Sequence, residues 1–202
     1  MTSLPQVAPG TFIVFEGPDG SGTTLHSRLL AEHLSSKGRS VLLTAEPSDG
    51  AIGASIRPLL KEQNVPPDAL QMLFTADRAE HLSRVILPAL EEGKVVICDR
   101  YIPSTIAYGM ALGLEKAWLQ ELNKNFIQCH LLFLLLPPLT VSRSRVHERR
   151  SSDALEEDTL QERVYNAYSE LQKDYPESCV VDTSAEIPDV ASQITGIADE
   201  CL

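Results

Sequence analysis

The chain has 202 residues, which is enough for one domain with a full hydrophobic core, and no linker-like stretch divides it. We therefore expect a single domain over residues 1–202. The formal net charge of −11 produces a long-range field that repels polyanions, which argues against binding to nucleic acid or to an anionic membrane surface. A small phosphorylated ligand is compatible with this charge where positive side chains cluster.

The four cysteines are far apart and form no CxxC pair or zinc spacing, so we interpret them as reduced apolar residues of an intracellular, cytoplasmic protein. The N-terminal segment MTSLPQVAPG has neither the basic nor the apolar region of a signal peptide. The apolar run at residues 131–136 is too short to span a bilayer. We expect no export and no membrane insertion.

Short apolar runs alternate with longer amphipathic stretches, which predicts βα units on a mostly parallel sheet and an α/β fold. The predicted strands are aliphatic runs bounded by turn or polar residues: 12–16, 41–45, 95–99, 130–135 and 179–182. The predicted helices are the amphipathic stretches: 24–37, 51–62, 75–92, 102–112, 139–150, 155–174 and 190–202.

A glycine-rich segment, GPDGSGTT at residues 17–24, directly follows the first predicted strand. It matches the phosphate-binding motif GxxxxGK[ST] at every fixed position except the lysine, where Thr23 stands. Glycines let backbone N–H groups surround phosphate oxygens, and the following helix adds its positive N-terminal end. The alternative is an ordinary strand-to-helix turn. The predicted phosphate-binding residues are Gly17, Gly20, Ser21, Gly22, Thr23 and Thr24, the last also a Mg²⁺ ligand through its hydroxyl.

The missing lysine removes a cation that normally neutralises the transferred phosphate. Its loss should cost on the order of 3 kcal/mol, or roughly 10² to 10³ in rate, unless another cation replaces it. Four arginines lie within residues 143–150, and we hypothesise that Arg145, Arg149 or Arg150 moves over the donor phosphates. The alternative is a solvated helix face with surface ion pairs.

Three blocks occur in the order and spacing of thymidylate kinases: FIVFEGPDGSG at residues 12–22, LFTADRAEH at 73–81 and DRY at 99–101. The chain resembles this family over about residues 11–200. The resemblance implies the P-loop NTPase fold, a three-layer α/β/α arrangement with a five-stranded parallel sheet and a small lid at about residues 143–157. It also implies Mg²⁺-dependent transfer of a phosphoryl group from ATP to dTMP, giving dTDP, by a homodimer.

The resemblance implies roles at the acceptor site. Asp19 would bind the sugar 3′-hydroxyl or orient the acceptor phosphate and the metal. Phe74 would stack on the pyrimidine, and Arg78 would hydrogen-bond the base edge; their i,i+4 spacing places both on one helix face. Without the family context, Asp19 is also compatible with a turn residue, Phe74 with a core residue and Arg78 with a surface ion pair.

The DRY block lies at the carboxyl end of a predicted strand, where open α/β sheets bind ligands. Asp99 would hold Mg²⁺ through water, and Arg100 would bridge the acceptor phosphate and the transferred group with its planar fork. A structural Asp–Arg pair is the alternative.

Further positions match family contacts to the nucleotide. Ser104 and Thr105 would contact base and sugar, and Tyr108 would crowd the 2′ position and so favour deoxyribose. Tyr165 would close over the nucleotide, or it simply packs. Ser and Thr at a helix start are otherwise ordinary.

The chain also departs from the family pattern. Ala45 replaces a basic residue, Leu135 replaces an acidic one, residues 153–156 lack a lid arginine, and Gly20 leaves the loop without an arginine of its own. The alternatives to a dTMP kinase are a kinase for another pyrimidine nucleotide or nucleoside, and a pseudokinase that binds nucleotide without turnover, which Thr23 motivates.

Overall fold

The computed structural model of the chain describes residues 9–60, 65–149 and 154–202, with the side chains of residue 149 and residues 154–157 outside that description. Within these ranges no helix is both long enough and apolar enough to cross a membrane. The predicted lid region includes residues 150–153, so its boundaries stay a prediction.

Five parallel strands form one sheet in the order β2-β3-β1-β4-β5. Their bounds are β1 Thr11–Glu16, β2 Val41–Ala45, β3 Val95–Asp99, β4 Leu131–Leu135 and β5 Cys179–Val181. The three central strands are continuous apolar runs because helices cover both faces of a parallel sheet. The predicted α/β fold with a five-stranded parallel sheet is confirmed.

Helices surround the sheet and connect its strands. The α-helices are α1 Thr23–Ser36, α2 Ala51–Leu59, α3 Pro67–His81, α4 Leu87–Glu91, α5 Ile102–Ala111, α6 Lys116–Asn123, α7 Leu139–Arg149, α8 Ala154–Leu171 and α9 Ile187–Cys201. A π-helical turn at Leu82–Ile86 joins α3 to α4, and a 3₁₀ turn at Gln172–Asp174 follows α8.

The strands alternate their side chains between two hydrophobic cores, one on each face of the sheet. On one face Val14 and Leu134 pack with residues of α4, α5, α6 and α8. On the other face Phe15 and Phe133, stacked with ring centroids 4.9 Å apart, pack with α1 and α9. The result is the three-layer α/β/α arrangement.

One helix prediction is wrong at its start, and one helix was missed. The helix predicted at residues 75–92 begins at Pro67 instead, because Pro66 is the N-cap and Pro67 fits the first helical position, where no N–H is needed. Helix α6 was not predicted at all; it has only eight residues, half of them polar, and only Leu119 and Asn123 are buried.

The sheet places its functional loops at one edge. Strands β1 and β3 are neighbours, with Phe15 paired to Asp99, so both strands end side by side. Helix α1 leaves β1 on one face of the sheet, whereas α5 leaves β3 on the other. A crevice opens between such diverging connections at the carboxyl ends of the strands, which is where open α/β sheets bind ligands.

Candidate active site

The phosphate loop (residues 17–24) joins β1 to α1 and lines a cavity of about 270 Å³. Gly20 and Gly22 have φ values of 80° and 92°, in the left-handed region that favours glycine. A Cβ on Gly20 would lie 2.4 Å from the carbonyl oxygen of Ser142, so no larger residue fits there. Helix α1 begins at Thr23 with no side-chain cap from the residues that the structure describes, so its first N–H groups can bind an anion.

Oxygen ligands suited to a hard cation meet beside this loop. The Thr24 hydroxyl donates to Asp99 Oδ2 at 2.5 Å, and the second carboxylate oxygen, Oδ1, is buried without a partner in the described part of the chain. Those described residues contain no group of three or more His, Cys, Asp or Glu side chains that would hold a metal by themselves. This set fits Mg²⁺, which usually takes one or two carboxylates and completes its shell with water and phosphate oxygens.

Arg100 lies where the phosphate-loop cavity meets a second, larger one. Its φ of 74° is the only positive value among the non-glycine residues that the structure describes. Its Nη2 donates to Asp19 Oδ1 at 2.7 Å, its Nη1 donates to the Gly17 carbonyl at 3.0 Å, and its guanidinium lies 5.4 Å from the centroid of the Tyr108 ring. Such backbone strain persists only where surrounding contacts enforce it.

A buried carboxylate, Glu16, holds the residues around Arg100 in place. Glu16 ends β1 and accepts hydrogen bonds from the Tyr101 N–H at 2.7 Å, the Ser104 hydroxyl at 2.6 Å and the Tyr168 hydroxyl at 2.8 Å. Burial raises the pKa of Glu16, while these donors and the charge of Arg100 act in the opposite direction. Glu16 therefore ties the end of β1 to α5 and to α8, on either side of Arg100.

Sequence reasoning missed both Glu16 and Tyr168. A carboxylate that ends a fully apolar strand was the available signal, because such a group needs several donors once buried. Tyr165, which the resemblance placed over the nucleotide, is half-buried and is not among the described residues lining either cavity. Tyr168, one turn later, is fully buried and reaches Glu16 and Ser104.

The larger cavity has a volume of about 530 Å³ and opens beside the phosphate loop. Five of its lining residues were predicted to contact the acceptor in addition to Asp19 and Arg100: Phe74, Arg78, Ser104, Thr105 and Tyr108. Burial raises the pKa of the Tyr108 hydroxyl. The structure thus brings these predicted contacts to one cavity, next to the phosphate loop.

Arg78 is buried, not a surface residue. Its Nη2 donates to Glu46 Oε2 at 2.7 Å and to Thr105 Oγ1 at 2.8 Å, its Nη1 donates to Asn123, and its Nε has no partner in the described structure. The surface ion pair considered as an alternative is therefore wrong. Because these partners come from three segments, the guanidinium is held in one orientation at the cavity.

The basic cluster at residues 143–150 divides into separate contacts. Arg143 pairs with Glu162 at 2.9 Å, whereas Arg145 donates to the Gly20 carbonyl at 3.3 Å and to the Thr183 carbonyl at 2.7 Å. Arg145 therefore lies against the phosphate loop. Arg149 ends α7 with its side chain outside the described residues, and Arg150 lies wholly outside them.

The role of Tyr168 leads to a stability prediction. Replacing Tyr168 with Phe removes one donor from a buried carboxylate, so we expect unfolding to become easier by about 1 to 3 kcal/mol, measured by urea denaturation. The control is Tyr165→Phe, since the described residues make no hydrogen bond to that half-buried hydroxyl, and it should change stability by less than about 0.5 kcal/mol. Equal effects of the two substitutions would contradict the account.

Comparison with known proteins agrees with this geometry. The family model described as "Thymidylate kinase" matches residues 15–194. A "Probable thymidylate kinase" of Pyrococcus horikoshii is 42% identical over 195 residues, covering 93% of this chain and 95% of that protein. A "Thymidylate kinase" of Caldicellulosiruptor saccharolyticus is 32% identical over 201 residues, covering 96% of this chain and 98% of the relative. The chain therefore belongs to the thymidylate kinase family.

Proposed function

We propose that the chain is a thymidylate kinase that transfers the γ-phosphoryl group of ATP to dTMP, giving dTDP. The observation that carries this proposal is the junction of two cavities at Arg100 and Asp19: one is lined by the phosphate loop and the other is large enough for a pyrimidine nucleotide. The names of the relatives and the matching family model support the same activity.

On the donor side, the free N–H groups of the loop and of the α1 N-terminus would hold the β- and γ-phosphates. Thr24 and Asp99 would hold Mg²⁺, directly or through water, and the bound ion would neutralise charge on those phosphates. Arg100, which pairs with Asp19 and lines both cavities, would contact the donor and acceptor phosphates.

On the acceptor side, Phe74 would stack on the base while Arg78 binds its edge, and Tyr108 would crowd the 2′ position. The attacking atom is a phosphate oxygen of dTMP itself, so the reaction requires no general base. Catalysis would consist of positioning the two nucleotides and neutralising charge between them. By resemblance to the family, we also propose a homodimer in the cytoplasm.

The lysine that Thr23 replaces leaves a need for positive charge beside the donor phosphates. In the described structure, Arg145 donates a hydrogen bond to the loop carbonyl of Gly20. Burial lowers the pKa of His26, a residue of α1, and the charge of Arg145 lowers it further. We propose that arginines of α7 and the segment after it supply the missing charge, with Arg149 or Arg150 reaching the phosphates when ATP binds. Arg145, already bonded to the loop, is the remaining candidate.

An acceptor panel tests the proposed activity. Purified protein with Mg²⁺-ATP is given dTMP, dUMP, dCMP, UMP or thymidine, and ADP release is followed in a coupled assay. We expect dTMP to give the highest kcat/KM. Preferred turnover of another acceptor would establish a different pyrimidine kinase, whereas folded protein that binds nucleotide and yields no product would favour the pseudokinase.

The charge-replacement proposal predicts the effect of removing single arginines. Arg145→Gln, Arg149→Gln and Arg150→Gln are each compared in kcat for dTMP, and at least one should lower it by roughly 10² to 10³, as expected for a lost transition-state donor. The control is Arg28→Gln, which removes an exposed charge of α1. Adding Thr23→Lys to the impaired arginine variant should recover part of the lost kcat. Unchanged turnover in all three variants would refute the proposal.

A further inference from the structure

Gln71 is a completely buried side chain whose amide lacks hydrogen-bond partners. Its exposed fraction is 0%, and neither Nε2 nor Oε1 has a partner among the residues that the structure describes. The side chain also lines the larger cavity. Buried amides in folded proteins are almost always hydrogen-bonded. An amide left without partners beside an open cavity therefore indicates a group that binds there.

The position of Gln71 on α3 relates it to the two residues proposed to bind the base. Gln71, Phe74 and Arg78 are spaced i, i+3 and i+7, which puts them on one face of the helix in successive turns. A base stacked on the Phe74 ring would therefore have the Gln71 amide on one side and the Arg78 guanidinium on the other. All three residues lie within the single α-helix α3, Pro67–His81.

The hydrogen-bonding capacity of this helix face is mostly committed to the protein itself. Both Nη atoms of Arg78 bond to side chains, and only its Nε stays without a partner in the described structure. The groups left for a ligand are thus one donor on Arg78 and a donor with an adjacent acceptor on Gln71.

We propose that Gln71 recognises the imide edge of the pyrimidine base and so determines acceptor affinity at this site. Its Oε1 accepts from the base N3–H, and its Nε2 donates to an adjacent carbonyl oxygen. Thymine and uracil present acceptor, donor and acceptor along this edge, which a carboxamide complements at two neighbouring positions. This inference rests on the proposed function, because it assumes that the larger cavity takes the acceptor nucleotide.

Cytosine would not be excluded by Gln71 alone. A rotation of the amide by 180° exchanges its donor and acceptor and matches N3 and the amino group of cytosine. Arg78 can only donate, so it suits a carbonyl oxygen and opposes an amino group. Gln71 therefore supplies affinity for the base edge, while Arg78 fixes which arrangement of that edge binds.

The test pairs a protein change with a ligand change. Gln71→Met keeps the length of the side chain and removes both polar atoms, and N3-methyl-dTMP lacks the N3–H that Gln71 would accept. We expect Gln71→Met to raise the Kd of dTMP, measured by calorimetry, and its KM by about 10- to 100-fold, with kcat within threefold. The same substitution should raise the Kd of N3-methyl-dTMP by a clearly smaller factor, because that ligand has no N3–H for Oε1 and can lose only the hydrogen bond from Nε2.

The matched control is Gln120→Met, which removes an amide on α6 that bonds to Asp174 at the surface; its dTMP affinity should be that of the wild type. Thermal unfolding shows whether the variants are folded. If Gln71→Met does not fold, Gln71→Asn, which withdraws the amide from the base, should weaken dTMP at least tenfold and N3-methyl-dTMP by a clearly smaller factor.

The proposal is overturned if Gln71→Met leaves the Kd of dTMP unchanged or weakens dTMP and N3-methyl-dTMP equally. Its failure is separable from failure of the proposed function. If the wild type binds dTMP and turns over no acceptor, the kinase proposal fails while the calorimetric comparison still decides the role of Gln71. If the wild type does not bind dTMP, both proposals fail.

Discussion

The ion pair between Arg100 and Asp19, above the buried carboxylate of Glu16, is the contact on which the site depends. A parallel sheet brings the ends of β1 and β3 side by side, and each end carries the residues that the other needs. Asp19 follows β1 and receives the Arg100 fork, while Arg100 follows β3 in a strained left-handed conformation. Glu16 also binds the start of α5 and helix α8. The two cavities are therefore joined by one hydrogen-bonded group of residues, which we call the hub: Glu16, Asp19, Arg100, Ser104 and Tyr168.

The electrostatics of the site follow from this unit. A chain with a net charge of −11 must bind phosphates with local positive charge, and the loop supplies only backbone N–H groups after the loss of the lysine to Thr23. Arg100 and Arg145 are the arginines that the described structure places against the loop backbone, one at Gly17 and the other at Gly20. The Arg100 guanidinium is already held in place by its ion pair with Asp19. An incoming phosphate would therefore bind a guanidinium whose orientation is fixed, and it would do so in competition with the Asp19 carboxylate.

The sequence was informative where local pattern determines structure. Aliphatic runs predicted all five strands to within about one residue, and the three central strands are continuous runs because they are buried on both faces. Helix α6 was missed because its eight residues make only about two turns, too few to establish a helical period, and the start of α3 was misplaced because Pro66 and Pro67 were not recognised as a start signal. Both errors concern single helices and leave the predicted order of strands unchanged.

The candidate site was predictable in its motifs and not in its support. The phosphate loop, Phe74 and the DRY block have spacing that points to their chemistry, whereas the partners of Arg78 come from positions 32, 27 and 45 residues away. The hub contact between Glu16 and Tyr168 spans 152 residues of sequence, so only the folded chain shows it. Tertiary contacts of this range leave no periodic signal, so Tyr168 could not be identified from the sequence, and the role of Tyr165 stays a prediction.

The most direct test of the account is the substitution Arg100→Lys, which keeps the charge and removes the planar fork. The measurement is kcat/KM for dTMP together with the Kd of Mg²⁺-ATP, with Arg84→Lys on the exposed surface as the control. The account predicts that kcat/KM falls by roughly 10² to 10³, while the affinity for ATP and the control stay within a few-fold of the wild type. Turnover of dTMP within threefold of the wild type would contradict the placement of the active site at this arginine.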